Sequence, residues 1–188
     1  DDEGYLPEAV LNYLARLGWS HGDDEVFDME RFIAWFDLDH ITASAAQFNT
    51  EKLNWLNAHY LKQADPLRLA NEAGRRLSRQ QISFEGGPEP SRVAALYRDR
   101  VANLNELADA MHPFYCLPKI GADLATQHLT DVARAGLALL RERLSDCPWQ
   151  AADLGQAVKQ TAAAAGLKMP QLAIPLRVVL LGLPQSPS

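Results

Sequence analysis

Apolar residues recur along most of the chain at intervals of three and four, the spacing that puts them on one face of an α-helix. Pro7 suits a first helical turn, Val10, Leu11, Leu14 and Leu17 follow, and Gly18 supplies a stop, which predicts a helix over 6–17. Asp28 can cap a second helix with an aromatic face of Phe32, Ile33, Trp35 and Phe36. Thr50 can cap a third, with Leu53, Leu56 and Tyr60 on one side and Trp55 beside them, before Asp65-Pro66 breaks the pattern. A basic helix over 67–78 comes next, then a loop at Glu85-Gly86-Gly87-Pro88-Glu89-Pro90. Ser91 can cap a helix in which Val93, Leu96, Arg100, Leu104 and Leu107 share a face, so an arginine falls on or near the apolar stripe. Pro113 and Pro118 frame an irregular stretch. A long helix over 123–144 has Leu129, Val132, Leu139, Leu140 and Leu144 as core candidates. Pro148 opens another with Leu154, Val158 and Ala162, closed by Gly166, and Pro175 opens a short last one over 176–181. Strand-like alternation is weak and confined to 81–84, so the predicted fold class is all-α, without internal repeats.

The charge changes sign where the helical pattern breaks. Residues 1–66 carry thirteen acids against four bases, and 67–188 carry fourteen bases against eleven acids, within a net charge of -6. This places the main boundary near residue 65. Eleven of the fourteen bases are arginine, whose planar donor fork suits phosphates and base edges better than an ammonium does; a solvated helical surface is the plainer explanation. A pI near 5.3 argues against indiscriminate polyanion binding, so any nucleic-acid contact is local.

With 188 residues, 47% of them hydrophobic and 22% charged, the chain can bury a core of its own and is not a disordered or collagen-like polymer. No apolar run approaches the roughly 20 residues of a membrane helix, and the acidic start lacks a secretory n-region. Cys116 and Cys147 fit no metal spacing and read as reduced thiols of a cytosolic protein. A phosphate-cradling glycine loop, a G-x-S-x-G elbow and an H-E-x-x-H pair are all missing, and the five histidines are scattered. Asp23-Asp24-Glu25 reads as a solvated turn rather than a cation site.

Three segments are more specific than composition. The run Gly4-Tyr5-Leu6-Pro7-Glu8-Ala9-Val10-Leu11-Asn12-Tyr13-Leu14-Ala15-Arg16-Leu17-Gly18-Trp19 closely resembles the segment after the ATP-binding signature of bacterial glutamyl-tRNA synthetases, a class I family. Phe48-Asn49-Thr50-Glu51-Lys52-Leu53-Asn54-Trp55-Leu56-Asn57 is similar to the family's F-x-x-x-K-L-x-W-x-N block, and Lys168-Met169-Pro170 through Pro175-Leu176-Arg177-Val178-Val179-Leu180-Leu181-Gly182 to its C-terminal block. The middle of the chain matches in helix pattern and in Arg98-Asp99-Arg100.

The resemblance implies a helical stem-contact domain over 1–64 and an α-helical cage that binds the anticodon over 65–188, truncated at its C-terminus. It implies a catalytic domain upstream of Asp1, where ATP and Mg²⁺ activate glutamate, so the fragment itself is expected to be inactive and to hold no cofactor. The partner it implies is tRNA(Glu), met by a cytoplasmic monomer with no membrane role. Arg100 falls where the family places an arginine against the third anticodon base. Cytosine offers acceptors there and guanine donors, so a guanidinium satisfies the first and opposes the second; otherwise Arg100 is a snorkelling or ion-paired arginine. Arg177 is implied to contact the anticodon loop, and Ser186 and Pro187 to hold its first two bases. Arg75, Arg76, Arg79 and Arg98 are candidate phosphate contacts, or a merely solvated face. Trp19 and Trp55 read as core anchors. The competing class is an all-α protein-interaction module with an Arg-rich docking face.

Overall fold

A computed structural model describes residues 2–42 and 47–185. Among these the fold is all-α: ten helices, one 3-10 turn at His112–Phe114, and a single isolated bridge between Trp19 and Ile41. The chain forms two compact units, Asp1–Tyr115 and Cys116–Ser188.

The first unit holds α1 (Pro7–Gly18), α2 (Met29–Trp35), α3 (Thr50–Gln63), α4 (Pro66–Arg79), α5 (Pro90–Tyr97) and α6 (Leu104–Met111). Helix α1 opens on Pro7 with no side-chain cap of its own. Its buried face is Leu6, Ala9, Asn12 and Tyr13, while Leu11 and Leu14 of the expected stripe stay exposed. Asp28 caps α2 as the sequence indicates, accepting from Arg31 N at 2.8 Å. The cap of α3 is Asn49, accepting from Lys52 N at 3.0 Å, one residue before the expected Thr50. Trp19 is a core anchor, 4% exposed and edge-on to Phe27 and Phe32, whereas Trp55 is half exposed and is not.

The break near residue 65 is a change of helix and not of packing unit. Asp65 accepts from Leu67 N at 3.2 Å, and Pro66 occupies the first turn, so the pair that ends one helix starts the next. One core then draws on both sides of it: Leu6, Ala9 and Leu61 lie in the same buried cluster as Leu69, Leu77 and Leu107. The sign change in charge at this point belongs to the surface. The 81–84 stretch forms no strand; Gln81 takes a left-handed φ of 63° that ends the turn after α4.

The helix expected from Ser91 through Leu107 is two helices. Glu89 caps α5 ahead of Pro90, and Asn103 caps α6 by accepting from Asn105 N at 3.0 Å and Glu106 N at 2.9 Å. A side chain that satisfies the free donors of a new helix start competes with continuing the old one. Leu96 is accordingly 52% exposed rather than in the core.

The second unit holds α7 (Ala122–His128), α8 (Asp131–Ser145), α9 (Ala151–Ala164) and α10 (Met169–Leu181). Thr130 caps α8, accepting from Ala133 N at 3.3 Å, and so splits the expected 123–144 helix. Val132 is 62% exposed; the face of α8 that packs is Ala133, Gly136 and Leu140. Helix α10 starts six residues before the expected Pro175. Pro170 sits in its first turn, Gln171 accepts from Lys168 N at 2.8 Å, and Pro175 is carried inside the helix, buried.

Candidate nucleic-acid interface

Between α5 and α6 the backbone turns sharply: Arg98 N donates to Ala94 O at 2.9 Å and Arg100 N to Tyr97 O at 2.8 Å. Arg100 therefore lies in a loop, not on an apolar helix face. It is exposed, and its guanidinium has no hydrogen-bond or ion-pair partner among the described residues. Arg98, two residues earlier, is committed elsewhere: Nη1 donates to Ala64 O at 3.0 Å and Nε lies 3.8 Å from Asp99. Its side chain is 30% exposed, with the guanidinium held against the protein by these contacts.

The α4 arginines divide in the same way. Arg76 is 10% exposed and donates from Nε to Asn105 Oδ1 at 2.9 Å and from Nη1 to Glu72 O at 3.0 Å. Arg75 is 72% exposed with one 2.9 Å contact to Glu72, and Arg79 is exposed, 3.6 Å from Asp2. Of the candidate phosphate contacts, Arg75 and Arg79 are the ones turned to solvent. Arg68, which the sequence did not single out, forks onto both carboxylate oxygens of Glu8 at 2.7 and 2.9 Å. Burial pushes Glu8 upward, but the hydrogen bonds and charge of Arg68 outweigh it and hold the carboxyl below its ordinary range.

Three polar residues that sequence reasoning missed tie this unit together. Asn12 and Asn57 are buried: Asn57 Oδ1 accepts from Leu6 N at 2.8 Å, and Asn12 Oδ1 accepts from Phe27 N at 3.1 Å. The Tyr60 hydroxyl lies 2.7 Å from Phe27 O and 2.8 Å from Asn12 Oδ1, its single proton shared between the two acceptors. Burial, with help from Asp28 and Glu8, pushes the Tyr60 hydroxyl up to about 12. The signal for the asparagines was present: Asn is a poor interior helix residue, and one beside core leucines needs a partner to account for it.

In the second unit Arg177 lies on α10, half-buried and without a side-chain partner among the described residues. Ser186 and Pro187 fall outside the described residues. Between α8 and α10 runs an apolar groove of about 670 Å³, lined by Leu137, Leu144, Trp149, Leu176 and Val179, with Arg141 as its cation. Among the described residues no helix is long and apolar enough to cross a membrane, and no three His, Cys, Asp or Glu side chains cluster to hold a metal ion.

On this all-α scaffold Arg75, Arg79 and Arg100 are exposed, while Arg76 and Arg98 are held by the fold. Residues 47–188 match the family described as anticodon binding domain, and the chain belongs to that family. Residues 1–55 match the catalytic-domain family of class I tRNA synthetases for E and Q. Over its full length the chain is 64% identical to a glutamate–tRNA ligase of Azoarcus sp. (strain BH72) and 61% identical to that of Aromatoleum aromaticum, spanning 40% of the length of each. A crystal structure of a glutamate–tRNA ligase from Elizabethkingia meningosepticum, in complex with its amino acid, superposes on the whole chain with TM-score 0.81 at 26% identity, over 38% of that protein. The all-α class expected from the helical spacing and the anticodon-binding family implied by the motifs are both borne out, and a protein-docking module is not favoured.

Proposed function

We propose that this chain is the tRNA-recognising part of a glutamate–tRNA ligase, holding the tRNA while glutamate is attached elsewhere in the complete protein. The observation that carries the reading is the match of 47–188 to the anticodon-binding family, together with the unpartnered guanidinium of Arg100. Residues 1–64 would contact the stem and 65–188 the anticodon, with one hydrophobic core from Leu6 to Met111 crossing the boundary between them. ATP and Mg²⁺ serve the activation step in the complete protein, which is assigned to residues other than these. The partner is tRNA(Glu), met by a cytoplasmic monomer.

Arg100 supplies donors in a fixed fork, which pair with cytosine O2 and N3 and face the N1 and N2 donors of guanine unpaired. The wrong base then costs on the order of 1 to 3 kcal/mol per contact. Arg177 contacts the anticodon loop, and Ser186 and Pro187 hold its first two bases. Arg75 and Arg79 meet phosphates.

The test is a titration of the chain with tRNA(Glu) and with the same tRNA carrying guanine at the third anticodon position. Salt-sensitive binding with preference for cytosine, lost in Arg100→Gln, supports the reading. Binding to neither tRNA, or equal binding to both, overturns it.

A further inference from the structure

The loop that carries Arg100 is hung from α3 at both ends. At its start Arg98 Nη1 donates to the carbonyl of Ala64, the residue that ends α3, at 3.0 Å. At its far end Asn57, fully buried in the middle of α3, donates Nδ2 to the carbonyl of Ala102. Between these points Val101 packs on the main hydrophobic cluster. The same Asn57 accepts Leu6 N at 2.8 Å, and Leu104 N donates to Gly4 O at 2.8 Å. The backbone around Arg100 is thus fastened at both ends of the loop, while the Arg100 side chain is exposed and unpartnered among the described residues.

We infer that Arg98 and Asn57 are positioning residues for recognition: they fix the 98–102 backbone on α3 so that the Arg100 guanidinium meets the RNA already in place. Through Asn57 that fixing reaches Leu6, inside the segment that matches the class I catalytic-domain family. The inference rests on the reading of Arg100 as the residue that meets the third anticodon base. Its physical ground is ordering entropy. A guanidinium on a slack loop must be ordered when it binds, and a slack loop can shift to accommodate guanine as well as cytosine. Arg98 acts through carbonyl capture: its hydrogen bond goes to Ala64 O, while Nε, 3.8 Å from Asp99, makes none.

The experiment compares the wild-type chain with Arg98→Met, which keeps the aliphatic stem and loses the donors, with Arg98→Lys, and with Asn57→Ser. Two quantities are read: amide hydrogen exchange at Arg100 and Ala102 in the free chain, and the ratio of dissociation constants for the two tRNAs. Arg98→Met should speed exchange at these amides about tenfold with helix content unchanged. It should lower the cytosine preference about fivefold, with partial recovery in Arg98→Lys. If Asn57→Ser unfolds the chain, Arg98→Met alone decides the matter. Faster exchange with an unchanged ratio overturns the inference, as does uniform weakening of both tRNAs with a flatter salt dependence, the mark of a phosphate contact. A ratio lost in Arg100→Gln but kept in Arg98→Met defeats the positioning role alone; a ratio kept in Arg100→Gln defeats the underlying reading of Arg100, and this inference falls with it.

Discussion

Arg76 Nε donates to Asn105 Oδ1 at 2.9 Å, joining the last turn of α4 to the first turn of α6 across 29 residues of sequence. Asn105 in turn donates Nδ2 to Asp2 O at 2.8 Å, so the N-terminal strap (residues 2–6), α4 and α6 meet at the Asn105 side chain. Arg75, next in sequence, faces water. Adjacent arginines of one basic helix therefore do different work. Arg76→Met should lower unfolding free energy by about 1–3 kcal/mol, since it removes the partner of Asn105 Oδ1 between two packed helices. Arg75→Gln should leave stability within about 0.5 kcal/mol and weaken all tRNAs alike. Denaturant melts and salt-dependent titrations of both variants check the pair.

Gly4 has φ +80°, and a Cβ there would lie 2.9 Å from Asn105 N and 3.1 Å from Leu104 N, both backbone. Left-handed geometry and a backbone wall act together, so neither can relax to relieve the other. Gly4→Ala should cost roughly 2 kcal/mol or more, visible as a lower melting temperature. A melting curve matching wild type would show that the strap is not held against α6.

The shared core predicts where the chain can be cut. A chain ending at Tyr115 should unfold cooperatively, because its helices keep their buried cluster. A chain ending at Ala64 would expose Leu6, Ala9 and Leu61, all 0% exposed in the structure, and should give a weak, non-cooperative melt. Circular dichroism of the two truncated chains checks this.

Glu8 supplies a pH dependence. Its folded-state value lies below the ordinary 4.5, so the pair with Arg68 contributes stability above that value and loses it as pH falls through the depressed one. The pair is partly exposed and screened, which limits the effect to about 0.3–1 kcal/mol. Glu8→Gln should remove that part of the stability slope that appears as pH falls below the ordinary 4.5. Melts at a series of pH values read it directly.

The sequence by itself determined what depends on short-range chemistry. Apolar spacing of three and four settled the all-α class, Asp28 its cap and Pro7 the start of α1, because each works within a turn or two of its own position. The three long motifs named the family without any fold. Tertiary structure decided whatever turns on a partner far along the chain. Asn103 and Thr130 cut two apparently continuous helices, and only the competition between cap and propagation shows it. Asp65-Pro66 looked like a domain boundary because the charge changes sign there, yet Leu61 and Leu69 pack into one core. Arg76, Arg98 and Arg100 carry the same guanidinium, and their spacing does not tell which of them the fold engages. Asn105, 29 residues from Arg76, and the Ala64 carbonyl, 34 residues from Arg98, engage two of them and leave the third to face solvent. A side chain's role follows from what the folded chain brings within hydrogen-bonding distance of it, which spacing along the sequence does not encode.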